Sequence, residues 1–200
     1  AAPIAYKSAQ TDDIIAYINS LDGNTWTAGR NAKFEGMTVD EVRTWMGALP
    51  GGPQLEERSV FANADLPDTF DSRTNWKECT DVISTIRDQS ECGSCWAFAT
   101  TETASDRLCI AHAARNNGSA SFVRLAPLDL VSCDGGFFNN GCQGGDPGSA
   151  MDIIKGHGSV TEKCLPYLKS EGGPVPTCAD EPCLKFVETP RCSKCSGYDS

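Results

Sequence analysis

Histidine is scarce in this chain of 200 residues: His112 and His157 are the only two. Chemistry that needs an imidazole must use one of them or borrow one from elsewhere. Basic residues are also few. Lys and Arg number 17 against 27 Asp and Glu, giving a net charge of −10 and an isoelectric point near 4.6. Such a chain, with no basic cluster, is a poor partner for phosphate backbones or anionic lipid, and nucleic-acid binding is excluded. No apolar run approaches the roughly 18 residues of a membrane-spanning helix. Strand-like alternation is weak throughout, so this chain alone cannot supply a large sheet. Internal repeats and low-complexity tracts are missing, and no cysteine precedes Cys79.

What the chain does have, from Cys79 onward, is cysteine. Eleven stand at positions 79, 92, 95, 109, 133, 142, 164, 178, 183, 192 and 195. That density in a core-forming composition, 40% hydrophobic and 22% charged, marks a disulfide framework made in an oxidising compartment. Cys92-x-x-Cys95 and Cys192-x-x-Cys195 also carry metal-ligand spacing. The two pairs lie far apart with six other cysteines between them, so no metal and no cofactor is expected. The odd total says more. Five bridges leave one thiol over, and a free thiol among so many bridges points to function. Ala1-Ala2-Pro3-Ile4 has neither an initiator Met nor a signal peptide's apolar stretch, so a secretory signal is expected to have been removed. Asn117-Gly118-Ser119 is a glycosylation acceptor of the kind found on that route.

Residues 1–64 read as one block and 65–200 as another. In the first, Thr11 or Asp12 can cap a helix bearing Ile14, Ile15, Ile18 and Leu21, stopped by Gly23. Thr38-x-x-Glu41 is a capping box opening a second helix with Val39, Val42, Trp45, Met46 and Leu49 on one side, closed at Pro50. Two such helices bury too little surface to stand alone. Gln54–Asp65 reads as an extended linker. In the second block, Ser94 to His112 reads as a long buried helix with Ala97, Ala104, Leu108 and Ala111 on one face. Shorter helices are expected to start near Pro127 and at Pro147, with pinned loops after Gly158.

Cys95 falls in the first turn of that long helix. Unpaired backbone N–H groups and the helix dipole there favour an anion, and a thiolate is the nucleophilic form of cysteine. Six residues earlier, Gln89 can offer a side-chain amide. With the Cys95 N–H it would make a two-donor hole for a developing oxyanion. Gly93 leaves room for a substrate backbone. Two other readings of the segment are open: a redox dithiol formed by Cys92 and Cys95, and Cys95 as one more half-cystine.

Cys92-Gly93-Ser94-Cys95-Trp96 resembles the segment around the nucleophile of papain-type cysteine proteases. Gly141-Cys142-Gln143-Gly144-Gly145 is similar to that family's substrate-binding glycine motif. Asn24–Asn31 and Gly51-Gly52-Pro53 resemble the pro-segment of its cathepsin B branch, and Leu66–Arg73 the start of the mature enzyme. The resemblance implies an α+β, papain-like fold: a helical left domain at 65–200, an inhibitory pro-segment at 1–64, and a sheet-rich right domain largely absent from this chain. It implies Cys95 as nucleophile, Gln89 as oxyanion donor, Gly93, Gly144 and Gly145 lining the cleft, and Trp96 packed beside it. Gly47 to Gly52, poor in side chains, is the stretch expected over the thiol, with Gly47, Gly51 and Gly52 nearest. The family's bridges, laid on this sequence, give Cys79–Cys109, Cys92–Cys142, Cys133–Cys192, Cys164–Cys195 and Cys178–Cys183, which leaves Cys95 free.

The family also needs a His and an Asn roughly 130–150 residues after the cysteine. Here Ser200 comes sooner. His112 would lie on the cysteine's own helix about five turns away, out of reach, and His157 reads as a loop residue. The expected partners are therefore peptide or protein substrates, the chain's own pro-segment as intramolecular inhibitor, and a second chain or C-terminal segment supplying His and Asn. The loop Cys178–Cys183 lacks the histidines of an occluding loop and carries Asp180 and Glu181, which points to endopeptidase rather than dipeptidase action. Location in a lysosome or other acidic vesicle, or secretion, follows from the same resemblance. A non-catalytic peptide-binding protein on this scaffold is the alternative.

Overall fold

The computed structural model describes residues 8–52, 67–133 and 138–167. Its chain separates into two compact units at the Met46–Gly47 bond. The linker read at Gln54–Asp65, the boundary at residue 64 and the loop Cys178–Cys183 lie outside the described residues.

In the first unit, α1 (Asp12–Asn19) begins where Thr11 accepts the Ile14 N–H. It ends before Leu21 and Gly23, earlier than the apolar spacing suggested. Ser20 N–H closes onto Ala16 and Tyr17, and the Asn24 side chain takes the Ile18 carbonyl. The Ser20 backbone and the Asn24 side chain thus satisfy the last carbonyls of the helix. α2 (Val39–Arg43) carries the full capping box of Thr38 and Glu41. It is also shorter than expected: Trp45 and Met46 follow in tight turns onto Val42 and Arg43, and Leu49 lies off the helix altogether. Trp45 instead packs edge-on to Phe34 at 5.9 Å, with Lys33 over its ring. An antiparallel bridge joins Ser8 to Thr38. Neither helix contains a buried residue.

The second unit is built around one helix. Short α3 (Ser72–Asn75) and α4 (Thr80–Ile83) precede α5 (Cys95–Arg115), against which α6 (Pro127–Cys133) and α7 (Pro147–His157) pack. The core joins Trp96, Ala97 and Ala104 of α5 to Leu128, Leu130 and Val131 of α6 and to Ala150 and Ile154 of α7. A second cluster gathers Cys79, Val82, Cys109 and Ala113 around the Cys79–Cys109 bridge. Alanine spacing gave only part of the buried face of α5, for Thr100, Thr101 and Ser105 are buried as well while Ala111 is half-exposed. Their hydroxyls return to carbonyls of the preceding turn at 2.6–2.9 Å. A polar residue satisfied within its own helix can be buried at little cost. Among the described residues, β structure is confined to isolated bridges.

Candidate active site

α5 starts at Cys95. Its thiol is half-buried and is the free cysteine among the described residues. Cys92, three residues back, is bridged to Cys142 rather than to Cys95, which removes the redox pair as a reading. That bridge, with the Gly93 N–H donating to the Cys142 carbonyl at 3.0 Å, staples the loop before α5 to residues 140–146. Trp96 strengthens the same join. It is fully buried, and its indole N–H donates to the Gly141 carbonyl at 3.1 Å. Gly145 rests so closely on that indole that a Cβ would stand 2.6 Å from the ring. Any larger residue would push the segment off the tryptophan.

The stretch from Gly47 runs past the thiol as an extended strand. Gly47 N–H points at Cys95 Sγ at 3.2 Å. Its carbonyl accepts the Gly145 N–H at 2.7 Å, and the Leu49 N–H donates to the Gly145 carbonyl at 2.9 Å. The result is a parallel bridge centred on Ala48 and Gly145. These bonds claim the backbone of residues 47–49 and so keep Leu49 out of a helix. They also make residues 47–49 part of the second unit. A Cβ on Gly47 would collide with the Gly93 carbonyl, and one on Gly52 with the Asp146 carboxylate. Gly51 is exposed and turns at φ +99°, while Gly144 is buried beside Gly47.

Gln89 is half-buried, and its side-chain amide donates to the Cys92 carbonyl at 2.7 Å, within the loop that leads to the thiol. His112 lies in the last turns of α5, about 25 Å along the axis from Cys95, with Nδ1 against the Ser119 carbonyl at 2.9 Å. His112 is therefore out of reach of the thiol. His157 is exposed at the end of α7. Asn117 is exposed in a left-handed turn after α5. Cys133 and Cys164 are half-cystines too. Their expected partners Cys192 and Cys195, and the pair Cys178–Cys183, lie outside the described residues.

Sequence reasoning missed three residues here. Asn139 is buried and its Oδ1 accepts the Asp146 N–H at 2.7 Å, which fixes the chain just after Gly145. Ser94, directly before Cys95, is fully buried with its hydroxyl 2.7 Å from the Tyr167 phenol. Tyr167 in turn donates to the Gln89 carbonyl at 3.0 Å and packs edge-on against Phe98. Burial pushes its phenol above the ordinary tyrosine range, with the Ser94 hydrogen bond acting against that and Asp88 adding to it. No local signal marks Tyr167, which stands 73 residues from Ser94.

Comparison with known proteins agrees with this geometry. Residues 66–198 match the family described as papain family cysteine protease, and residues 10–52 match the peptidase family C1 propeptide. Cathepsin B of Dictyostelium discoideum is 40% identical, the alignment covering 88% of this chain and 52% of that protein. Cathepsin B-like cysteine proteinase 6 of Caenorhabditis elegans is 36% identical over 92% of this chain and 51% of its own length. The chain thus spans about half the length of the curated relatives it matches. Among solved structures, procathepsin B S9 from Trypanosoma congolense superposes with a TM-score of 0.69 at 30% identity, covering 86% of this chain and 58% of that one.

Proposed function

This chain belongs to the papain family of cysteine proteases, and from that premise we propose that it is the pro-segment and nucleophile-bearing half of a cathepsin B-like cysteine endopeptidase in its zymogen form. Cys95 attacks a peptide carbonyl as the thiolate, the amine leaves, and water hydrolyses the resulting acyl-enzyme. The Cys95 N–H and the Gln89 amide hold the oxyanion, for which Gln89 turns from the Cys92 carbonyl. The Gly145 backbone pairs with an extended substrate, which runs in the direction opposite to that of residues 47–49. A further C-terminal segment or a second chain supplies the His that shares the proton with the thiol and the Asn that orients it. Secretory synthesis, ending in an acidic vesicle or outside the cell, suits the disulfides.

One observation carries the reading: a glycine strand donates its N–H to an unbridged thiol at a helix start. Its parallel pairing with Gly145 also supports an inhibitory role, because a strand run backwards relative to substrate offers no correctly placed bond for cleavage. The sequence of Cys178–Cys183, with two acids and no His, supports internal cleavage over removal of C-terminal dipeptides. In the full-length protein, an epoxysuccinyl thiol-protease inhibitor is expected to label Cys95 only after the pro-segment is released. Cys95→Ser is expected to abolish both label and peptide hydrolysis. Labelling that is equally fast before and after release would defeat the inhibitory strand, and hydrolysis surviving Cys95→Ser would defeat the nucleophile.

A further inference from the structure

Four helices of this protein begin in the same way. Thr11, Thr38, Asp71 and Asp146 each stand in extended backbone, with ψ between 114° and 163°, and each side chain accepts a backbone N–H from the turn that follows. α5 begins differently. Ser94 is among the strongest capping residues, yet its backbone sits at φ −105°, ψ 15° and its side chain makes no cap. The Ala97 N–H goes to the Ser94 carbonyl at 2.9 Å instead. The serine hydroxyl is held elsewhere. Tyr167 gives its one phenolic proton to the Gln89 carbonyl, so the Ser94 hydroxyl donates to the phenol oxygen.

We propose that Tyr167 is a positioning residue: it holds the Ser94 hydroxyl away from the start of α5 so that the Cys95 N–H faces the reacting carbonyl. The inference rests on Cys95 being the nucleophile. A serine hydroxyl returned to the cap would accept the Trp96 or Ala97 N–H and carry the backbone at Ser94 toward the extended conformation of the other caps. Both changes move the Cys95 N–H, one of the two oxyanion donors. The same phenol anchors Gln89, which bears the other donor, through its carbonyl. A ring at 167 also packs on Phe98, so removal of the hydroxyl alone keeps the packing and isolates the hydrogen bonds.

The test is a cycle of Tyr167→Phe, Ser94→Ala and the double variant in the full-length protein, with the pro-segment released. Tyr167→Phe is expected to lower kcat about tenfold while KM stays within about twofold, the signature of a misplaced group rather than lost binding. In the Ser94→Ala background, where no hydroxyl can return to the cap, the same change is expected to cost less than about twofold. Amide hydrogen exchange reads the switch without turnover. Exchange at Trp96 or Ala97 slows in Tyr167→Phe and returns to the parent rate in the double variant. Equal losses of kcat in both backgrounds, a loss confined to KM, or unchanged exchange would each overturn the proposal. A Cys95→Ser protein that still hydrolyses peptide would instead overturn the underlying assignment of the nucleophile, while the exchange result would still judge Tyr167.

Discussion

The two units of this molecule are held together by different physics. In residues 8–46 neither α1 nor α2 contains a buried residue. The unit relies on exposed hydrogen bonds: the capping box at Thr38, the pairing of the Asn19 side chain with the Ala28 backbone, and Arg30 set between Asp12 and Glu35. The unit from Gly47 onward surrounds α5 with apolar side chains and ties it down with disulfides at Cys109 and, just before its first turn, at Cys92. Solvent can substitute for exposed polar contacts, and acid or salt can dissolve them. Buried apolar surface and covalent links do not depend on ionised pairs that acid or salt would break. A unit built the first way loosens in conditions under which one built the second persists.

The largest effect that tests this contrast lies in the scaffold. Replacing Cys79 and Cys109 together by Ala opens a loop with a sequence separation of 30 and is expected to cost about 3–4 kcal/mol of unfolding free energy in denaturant titrations. The α2 amides should keep their exchange rates in that variant. A loss shared equally by both units would break the comparison.

A smaller change belongs to the first unit. Thr38→Ala removes the hydroxyl that accepts the Glu41 N–H at 3.2 Å and is expected to cost about 1 kcal/mol locally, read as faster exchange at Glu41 and Val42 with α5 unaffected.

The smallest effect is one of pH. Hydrogen bonds from the Thr38 backbone and hydroxyl hold the Glu41 carboxyl below its ordinary value. A depressed carboxylate stabilises the fold in full above its unfolded value, about pH 4.3, and loses that contribution as pH falls through its folded value. Asp106 on α5 goes the other way. Burial, then the charge of Glu102, raises its carboxyl, with Arg87 opposing, so its ionisation burdens the fold at higher pH and acid relieves it. Exchange measured from pH 6 down to pH 3, corrected for intrinsic rates, should therefore loosen α2 before α5. Simultaneous loosening would contradict the division.

Much of the scaffold was legible because its signals are local. Capping at Thr11 and Thr38, the prolines at 127 and 147, and the run from Ser94 each act within one or two turns, and the helices they announce are present. Both bridges between described cysteines, and the free state of Cys95, match the pattern the family resemblance implied. The misread stretches are those where a distant partner intervened. Residues 45–49 have helical spacing, but hydrogen bonds to Gly145 took the backbone of Gly47 and Leu49. The buried face of α5 includes hydroxyl residues that polarity alone would place outside.

By itself the sequence determined where helices begin, that one sulfur is left over and which family the chain resembles, because propensity, parity and motif can be read without knowing how the chain packs. Tertiary structure alone decided which bonds hold the residues around that sulfur. Gly47 meets Cys95 across 48 positions and Tyr167 meets Ser94 across 73. Contacts at such separations depend on how helices pack and where loops close, and no local pattern encodes a hydroxyl drawn away from its own helix cap.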